Sequence, residues 1–144
     1  MVISADTSFL FSLYGNDIHT PLAVEWSRSN TDIIAISSLN RFELINALRF
    51  AEFRKSIGPG NAGVFASLFD TDLTDGRLVE HVCNLADILA EATRLSAAHT
   101  LTGGHRGFDI LHVAAARIMG ATDFLTFDAN QKRLATAAGL HVPL

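Results

Sequence analysis

Short apolar runs rich in β-branched residues are separated along this chain by longer segments with helical periodicity. Such runs are typical of buried strands, and the distance between them excludes two-residue hairpin connections. The predicted strands span residues 2–5, 33–36, 123–126 and 140–142, with 77–80 as either a short strand or an extended link. Because parallel strands need helical crossovers, this order predicts an α/β fold in which helices cover both faces of a parallel sheet.

The segments between the predicted strands carry apolar residues at helical spacing and recognisable helix ends. Asp6, Thr7 and Ser8 supply side-chain oxygens that can cap a helix directly after the first strand. Thr20-Pro21 opens the next helix, because proline suits the first helical position. Further helices are predicted over 39–54, 62–69, 84–98, 109–119 and 129–138, and a glycine-rich loop over 100–107.

Length and composition fit a single globular domain, residues 1–144. Hydrophobic residues make up 49% of the chain and charged residues 18%, which excludes a disordered protein. The net charge of −4 provides no overall basic surface of the kind common in DNA-binding modules. The first residues lack the basic segment of a signal peptide, no apolar run is long enough to span a membrane, and the single Cys83 cannot form an internal disulfide. We therefore expect a soluble protein of the reducing cytoplasm.

Two segments match known motifs in letters but not in context. Residues 58–63 spell G-x-G-x-x-G, but a dinucleotide-binding loop must follow a strand, and the segment before this one is predicted to be helical. Residues 70–74 spell D-x-D-x-T, which resembles the nucleophile motif of haloacid-dehalogenase-like phosphatases, where the first aspartate ends a central strand. We interpret the first segment as an inter-helix loop and the second as an acidic, solvated loop.

Four carboxylates occupy positions from which they can meet at one edge of the predicted sheet. Asp6 and Asp128 follow strands, Asp109 opens a helix, and Glu43 lies inside a helix that follows a strand. Sites in open parallel sheets form beyond the carboxyl ends of the strands. Each acid also has a structural alternative, since Asp6 and Asp128 suit helix N-caps, Asp109 suits a helix N-terminus, and Glu43 suits a solvated helix surface.

A crevice that holds several carboxylates needs a counter-ion, because like charges at short distance raise one another's pKa. A divalent cation supplies the opposite charge. A ligand set of carboxylate oxygens, without cysteine or paired histidine, suits Mg²⁺ or Mn²⁺ rather than zinc. Such an ion also bridges an acidic pocket to a phosphodiester, so a nucleic-acid substrate is compatible with the negative net charge.

Two basic side chains close to Asp109 in sequence are candidate substrate-binding residues. Arg106 lies in the predicted glycine-rich loop, where its charge can meet an RNA phosphate, and the alternative is a solvated loop arginine. His112 lies one turn after Asp109 on the same helix face, where it can contact substrate or the carboxylates. For His112 we favour the alternative, a packed and hydrogen-bonded side chain.

Four segments, in this order, resemble the PIN domain family and, within it, the VapC-type toxin ribonucleases of type II toxin–antitoxin modules. They are Ala5-Asp6-Thr7-Ser8, residues 37–43, residues 108–116, and residues 124–140. The resemblance covers essentially the whole chain. It implies a three-layer sandwich with a parallel central sheet flanked by helices, in agreement with the periodicity.

By position, the resemblance also implies a catalytic and metal-binding set of acids and a supporting set of small polar residues near the metal. The acids are Asp6, Glu43, Asp109 and Asp128, and the supporting residues are Thr7, Ser8 and Thr126. The implied activity is Mg²⁺- or Mn²⁺-dependent endonucleolytic hydrolysis of RNA, leaving 5′-phosphate and 3′-hydroxyl ends. The implied partners are a cognate antitoxin protein and a second copy of the chain in a homodimer.

Two other functions stay open at this point. One is a PIN-type RNA-processing nuclease without an antitoxin, and the other is a catalytically silent module that binds RNA or protein. A set of phenylalanines is compatible with an antitoxin groove or a dimer face, but we interpret its members as core residues: Phe9, Phe11, Phe42, Phe50 and Phe53.

Overall fold

Four strands and seven helices make up the protein, and the computed structural model describes all of residues 1–144. The strands are β1 (Ile3–Ala5), β2 (Ile34–Ser37), β3 (Leu78–His81) and β4 (Asp123–Leu125). The helices are α1 (Thr7–Tyr14), α2 (Thr20–Ser29), α3 (Ser38–Phe53), α4 (Asn61–Thr74), α5 (Leu85–Gly103), α6 (Gly107–Ile118) and α7 (Ala129–Ala137).

The strands form one parallel sheet in the order β3-β2-β1-β4. Ser4 of the central strand β1 lies opposite Ala35 of β2 on one side and Phe124 of β4 on the other. The carboxyl ends of β1, β2 and β4 therefore meet at one edge of the sheet, where the chain turns into α1, α3 and α7.

Helices cover both faces of the sheet, which confirms the predicted three-layer sandwich. One apolar core joins the strands to α1–α4 and includes Phe9, Leu10 and Leu48, and a second joins them to α5–α7 and includes Val113 and Leu134. All five of these side chains are buried. Two helix layers around short strands leave little backbone of the sheet open to water, as parallel sheets require. No helix combines the length and the apolar character needed to cross a membrane.

Residues 70–74, which the sequence predicts to be an acidic loop, are instead the last part of α4. Both aspartates of this segment have side-chain partners there. Asp72 accepts a hydrogen bond of 2.7 Å from the Tyr14 hydroxyl, and Asp70 forms an ion pair with Arg41 at 3.5 Å. No strand precedes these acids, so the phosphatase context is absent. Residues 54–60 join α3 to α4, so residues 58–60 of the G-x-G-x-x-G motif lie in an inter-helix loop as interpreted, whereas residues 61–63 are the first turn of α4.

Two further boundaries differ from the prediction. The glycine-rich loop is shorter than 100–107, because α5 continues to Gly103 and ends at Gly104, whose φ of +64° is accessible to glycine with little strain. The strand predicted at 140–142 is reduced to a single bridge between His141 and Asp123. The end of α5 is set by the local conformation of Gly104, whose amide bonds the Thr100 carbonyl, whereas the last segment is limited by its pairing with β4.

The phenylalanine set divides between core and surface, so its interpretation as core was wrong for three members. Phe9 is fully buried, between Trp26 and Phe127. By contrast, 64% of Phe42, 52% of Phe50 and 79% of Phe53 is exposed on the outer face of α3. These three residues are called the α3 apolar face below.

We expect Phe9→Ala to lower the free energy of unfolding by about 3–5 kcal/mol, because it leaves a cavity between α1, α2 and the sheet. Phe53→Ala is the matched control and should change it by less than about 0.5 kcal/mol, since the side chain is mostly in water. Urea denaturation of both variants measures the difference. Equal destabilisation by the two substitutions would contradict this division of the phenylalanines.

Candidate active site

A pocket of about 470 Å³ opens at the carboxyl edge of the sheet. All four predicted acids line it, although they come from widely separated parts of the chain: Asp6, Glu43, Asp109 and Asp128. Of the predicted supporting residues, Thr7 and Ser8 line the pocket and Thr126 lies behind it, against Asp6. The structure therefore brings together the acids that the sequence placed at this edge.

Asp6 is both the N-cap of α1 and a wall of the pocket. Its Oδ1 accepts hydrogen bonds from the Phe9 amide at 3.0 Å and the Ser8 hydroxyl at 2.7 Å, and its Oδ2 accepts one from the Thr126 hydroxyl at 2.5 Å. Burial raises the pKa of this carboxyl to about 6, although the hydrogen bonds from Thr126, Phe9 and Ser8 act in the opposite direction. The capping and site interpretations of Asp6 are thus compatible.

Asp128 has the same double position at the end of β4. It is the N-cap of α7, where its Oδ1 accepts a hydrogen bond of 2.8 Å from the Gln131 amide. Its own amide donates to the Thr126 hydroxyl oxygen at 3.0 Å, which connects it to Asp6 through one side chain. Strand ends followed directly by capped helices explain why both aspartates face this edge.

Asp109 lies in the first turn of α6 and is partly buried. Burial raises the pKa of its carboxyl, and the negative charges of Asp128 and Glu43 raise it further. The positive charge of Arg106 acts in the opposite direction. Three of the four acids therefore share one electrostatic environment and repel one another.

Glu43 projects from α3 and is held by two side chains beneath it. The Nε2 atom of His112 lies 3.1 Å from Glu43 Oε1 and 3.2 Å from the Thr7 hydroxyl. Burial favours a higher pKa for Glu43, but the hydrogen bonds from His112 and Thr7 outweigh it and leave the pKa below the ordinary value. Glu43 is therefore the acid of the pocket whose charge is best supported by the protein.

The position of His112 corrects its assignment as a substrate-binding residue. Only 1% of its side chain is exposed, so no ring atom is available to RNA. The favoured alternative, a packed and hydrogen-bonded histidine, agrees with its contacts. Arg106, in contrast, precedes α6 with an exposed side chain that forms no ion pair with a carboxylate.

Three residues of this region were not predicted from the sequence. Asp17 and His19 line the pocket, where Asp17 accepts a hydrogen bond of 2.8 Å from the Ser12 hydroxyl and His19 stacks on Phe127. Asn40 lies beneath it and is 1% exposed. Asp17 and His19 precede a predicted helix and are typical of a turn, so no local signal distinguishes them.

The chemistry of the donor set fits a hard divalent cation, because carboxylate oxygens are its preferred ligands and the repulsion among them is relieved by positive charge. The side chains nevertheless do not close on one point. No group of three Asp, Glu, His or Cys side chains in the structure is arranged to hold a metal ion. Binding would therefore require the carboxylates to turn inward from these positions.

The comparisons with known proteins agree with the fold. The structure is similar to a chain in the crystal structure of VapBC2 from Rickettsia felis bound to a DNA fragment from their promoter, with a TM-score of 0.65, 18% identity, and coverage of 99% of this chain and 97% of that one. It is also similar to a chain of FitAcB from Neisseria gonorrhoeae, with a TM-score of 0.61, 16% identity, and coverage of 98% and 96%. No curated protein matches the sequence significantly.

The family model of the PIN domain matches residues 3–137, a span that runs from β1 to α7. It contains all four acids of the pocket and every strand of the sheet. The chain belongs to the PIN domain family.

Proposed function

We propose that this protein is a metal-dependent endoribonuclease and the toxin of a type II toxin–antitoxin module. The observation that carries the proposal is the convergence of four carboxylates, from the ends of β1 and β4 and from α3 and α6, on a single pocket. Capping alone would explain Asp6 and Asp128, but it does not explain why Glu43 and Asp109 face the same space.

The residues that would hold Mg²⁺ or Mn²⁺ are Asp6, Glu43, Asp109 and Asp128. When bound, the ion supplies charge neutralisation for the phosphodiester and lowers the pKa of water. Thr126 and Ser8 keep the Asp6 carboxylate in place through hydrogen bonds to its two oxygens. Thr7 and His112 do the same for Glu43.

Asp109 and Asp128 are the carboxylates suited to accept the proton of the attacking water. Both are less enclosed than Asp6, and neither is held by a side-chain donor in the way that Glu43 is held by His112. Arg106 is the proposed contact to an RNA phosphate, because it is exposed beside Asp109 and forms no close ion pair within the protein.

A cognate antitoxin and a homodimer are the proposed protein partners. Support comes from the similarity in fold to chains of the VapBC2 and FitAcB complexes, together with the α3 apolar face, which leaves three large aromatic side chains in water. Exposed apolar patches of this kind mark protein interaction sites more often than chance. The proposed place of action is the cytoplasm, where RNA is available.

Cleavage of a labelled RNA in the presence of Mg²⁺ or Mn²⁺ tests the proposed activity. We expect each of Asp6→Asn, Glu43→Gln, Asp109→Asn and Asp128→Asn to lower kcat at least about 100-fold, because each removes charge from the pocket. EDTA should abolish cleavage by the parent protein.

The matched control for these variants is Asp32→Asn. Asp32 is exposed and lines a different pocket, near the start of β2 at the opposite edge of the sheet, so its neutralisation should leave cleavage unchanged. Full activity in any two of the four pocket variants, or activity that persists in EDTA, would reject the proposed site.

The raised pKa of Asp6 predicts that stability falls as pH rises. Between the ordinary value of 3.8 and about 6 the folded protein retains a proton that the unfolded chain has lost, so ionisation of Asp6 opposes folding above this window by about 3 kcal/mol. Asp6→Asn has no ionisable group at this position, so it does not lose this stability as the pH rises. We expect the metal-free variant to match the parent near pH 4 and to be more stable at pH 7.5.

Urea denaturation of the parent and Asp6→Asn in EDTA, at the two pH values, measures this difference. Asp32→Asn should show no comparable gain between pH 4 and pH 7.5. A parent and an Asp6→Asn variant with the same pH dependence would show that the carboxyl is not buried as described.

Expression in bacteria separates a toxin from a module that only binds. The parent protein should arrest growth, because cleavage of cellular RNA stops protein synthesis, and Asp6→Asn should not, although it folds. Colony counts and RNA 5′-end sequencing after induction provide the measurement. Equal arrest by both proteins would favour the binding module over the nuclease.

A further inference from the structure

A buried amide that the sequence did not predict as a site residue lies beneath the pocket. Asn40 is in the first turn of α3, three residues before Glu43, and is 1% exposed. Its Oδ1 accepts hydrogen bonds from the Ser37 amide at 3.0 Å and from the Ser37 hydroxyl at 3.2 Å. Because a backbone amide can only donate, the atom that faces it must be the oxygen of the Asn40 side chain.

The nitrogen side of the same amide is fixed independently. Asn40 Nδ2 donates to the carbonyl oxygen of Ala5 at 3.1 Å, and a carbonyl can only accept. Rotating the amide by half a turn would place two donors together at Ser37 and two acceptors together at Ala5. Both contacts therefore require the same orientation of the Asn40 side-chain amide. The second hydrogen of Nδ2 can then be donated to a third neighbour.

That neighbour is the imidazole of His112, whose Nδ1 lies 3.3 Å from Asn40 Nδ2. Since the amide nitrogen donates, Nδ1 must accept, and it carries no proton. The ring proton is then on Nε2, the atom that faces Glu43 Oε1 at 3.1 Å and the Thr7 hydroxyl at 3.2 Å. The ring is buried, so water does not compete for either nitrogen.

We propose that Asn40 is a positioning residue, which holds His112 as an Nε2–H donor and through it fixes the Glu43 carboxylate in the pocket. Asn40 and Glu43 are one turn apart on α3, so a single helical turn holds the ring on both sides. The proton assignment stands on the hydrogen bonds alone, whereas its consequence for catalysis rests on the proposed nuclease function.

Nitrogen-15 NMR of the metal-free protein at pH 8, where an ordinary imidazole is neutral, tests the proton assignment. In the parent we expect a protonated Nε2 and an unprotonated Nδ1 for His112. Asn40→Asp replaces the donor with an acceptor, so a proton should appear on Nδ1. A proton on Nδ1 in the parent, or an Nδ1 that stays unprotonated in a folded Asn40→Asp, would overturn the proposal.

Asn46→Asp is the matched control, because it introduces the same charge on the exposed side of α3. It should leave the His112 nitrogen signals unchanged. A change as large as that in Asn40→Asp would mean that charge on the helix, rather than the amide contact, sets the position of the proton, and the proposal would fail.

Kinetics then test the consequence for Glu43. We expect Asn40→Asp and His112→Leu to lower kcat about 10- to 100-fold with little change in KM, because substrate contacts are not removed. His112→Gln should recover part of the loss, since an amide offers one acceptor and one donor, as the neutral ring does. No recovery with Gln, or a loss confined to KM, would contradict a positioning role.

These two kinds of measurement separate the inference from the proposed function. If the parent protein cleaves no RNA but the NMR signals behave as expected, the hydrogen-bond assignment stands and the nuclease function fails. If cleavage requires the four acids but the NMR signals do not respond to Asn40→Asp, the nuclease function stands and the role of Asn40 fails.

Discussion

The burial of one carboxylate at the end of the central strand organises this protein. Asp6 is 4% exposed, yet its two oxygens accept three hydrogen bonds, from α1, from the Ser8 hydroxyl and from Thr126 beyond β4. These bonds offset only part of the hydration that burial removes, which is why the pKa stays raised, and they also connect the first helix to the segment after β4. The same group is consequently part of the fold and part of the pocket.

The other acids are supported unequally, and the difference has a chemical meaning. Glu43 is held by His112 and Thr7, so its pKa is lowered, whereas the pKa of Asp109 is raised by burial and by its acidic neighbours. The ionised form of Glu43 is thus stabilised by the protein on one side of the pocket. On the other side, the ionised form of Asp109 is disfavoured and would be stabilised by an added positive charge. A pocket built in this way favours a cation or a proton over an anion.

Much of the fold follows from local sequence, because short apolar runs after helical segments have few alternatives to a parallel sheet. The same logic identified Asp6 and Asp128, which follow strands, and Asp109, which opens a helix. It did not find Asn40, whose partners Ala5 and His112 are distant in sequence.

Surface and core were harder to separate, since Phe42, Phe50 and Phe53 resemble core residues by type alone. Their exposure depends on which face of α3 meets the sheet. The reduction of the predicted strand at 140–142 to one bridge likewise depends on pairing with β4, which periodicity does not report.

The pairing of β1 with β4 has a consequence for the order in which the pocket assembles during synthesis. The hydrogen bond between Asp6 and Thr126 spans 120 positions of the chain, and the central strand lacks one neighbour until β4 arrives. A nascent chain that has reached residue 100 contains Asp6 and Glu43 but neither Asp109 nor Asp128. Its strand β1 can pair with β2 but not yet with β4. The pocket therefore assembles only after β4 has been synthesised and has paired with β1, which makes its formation a late event in the folding of the domain.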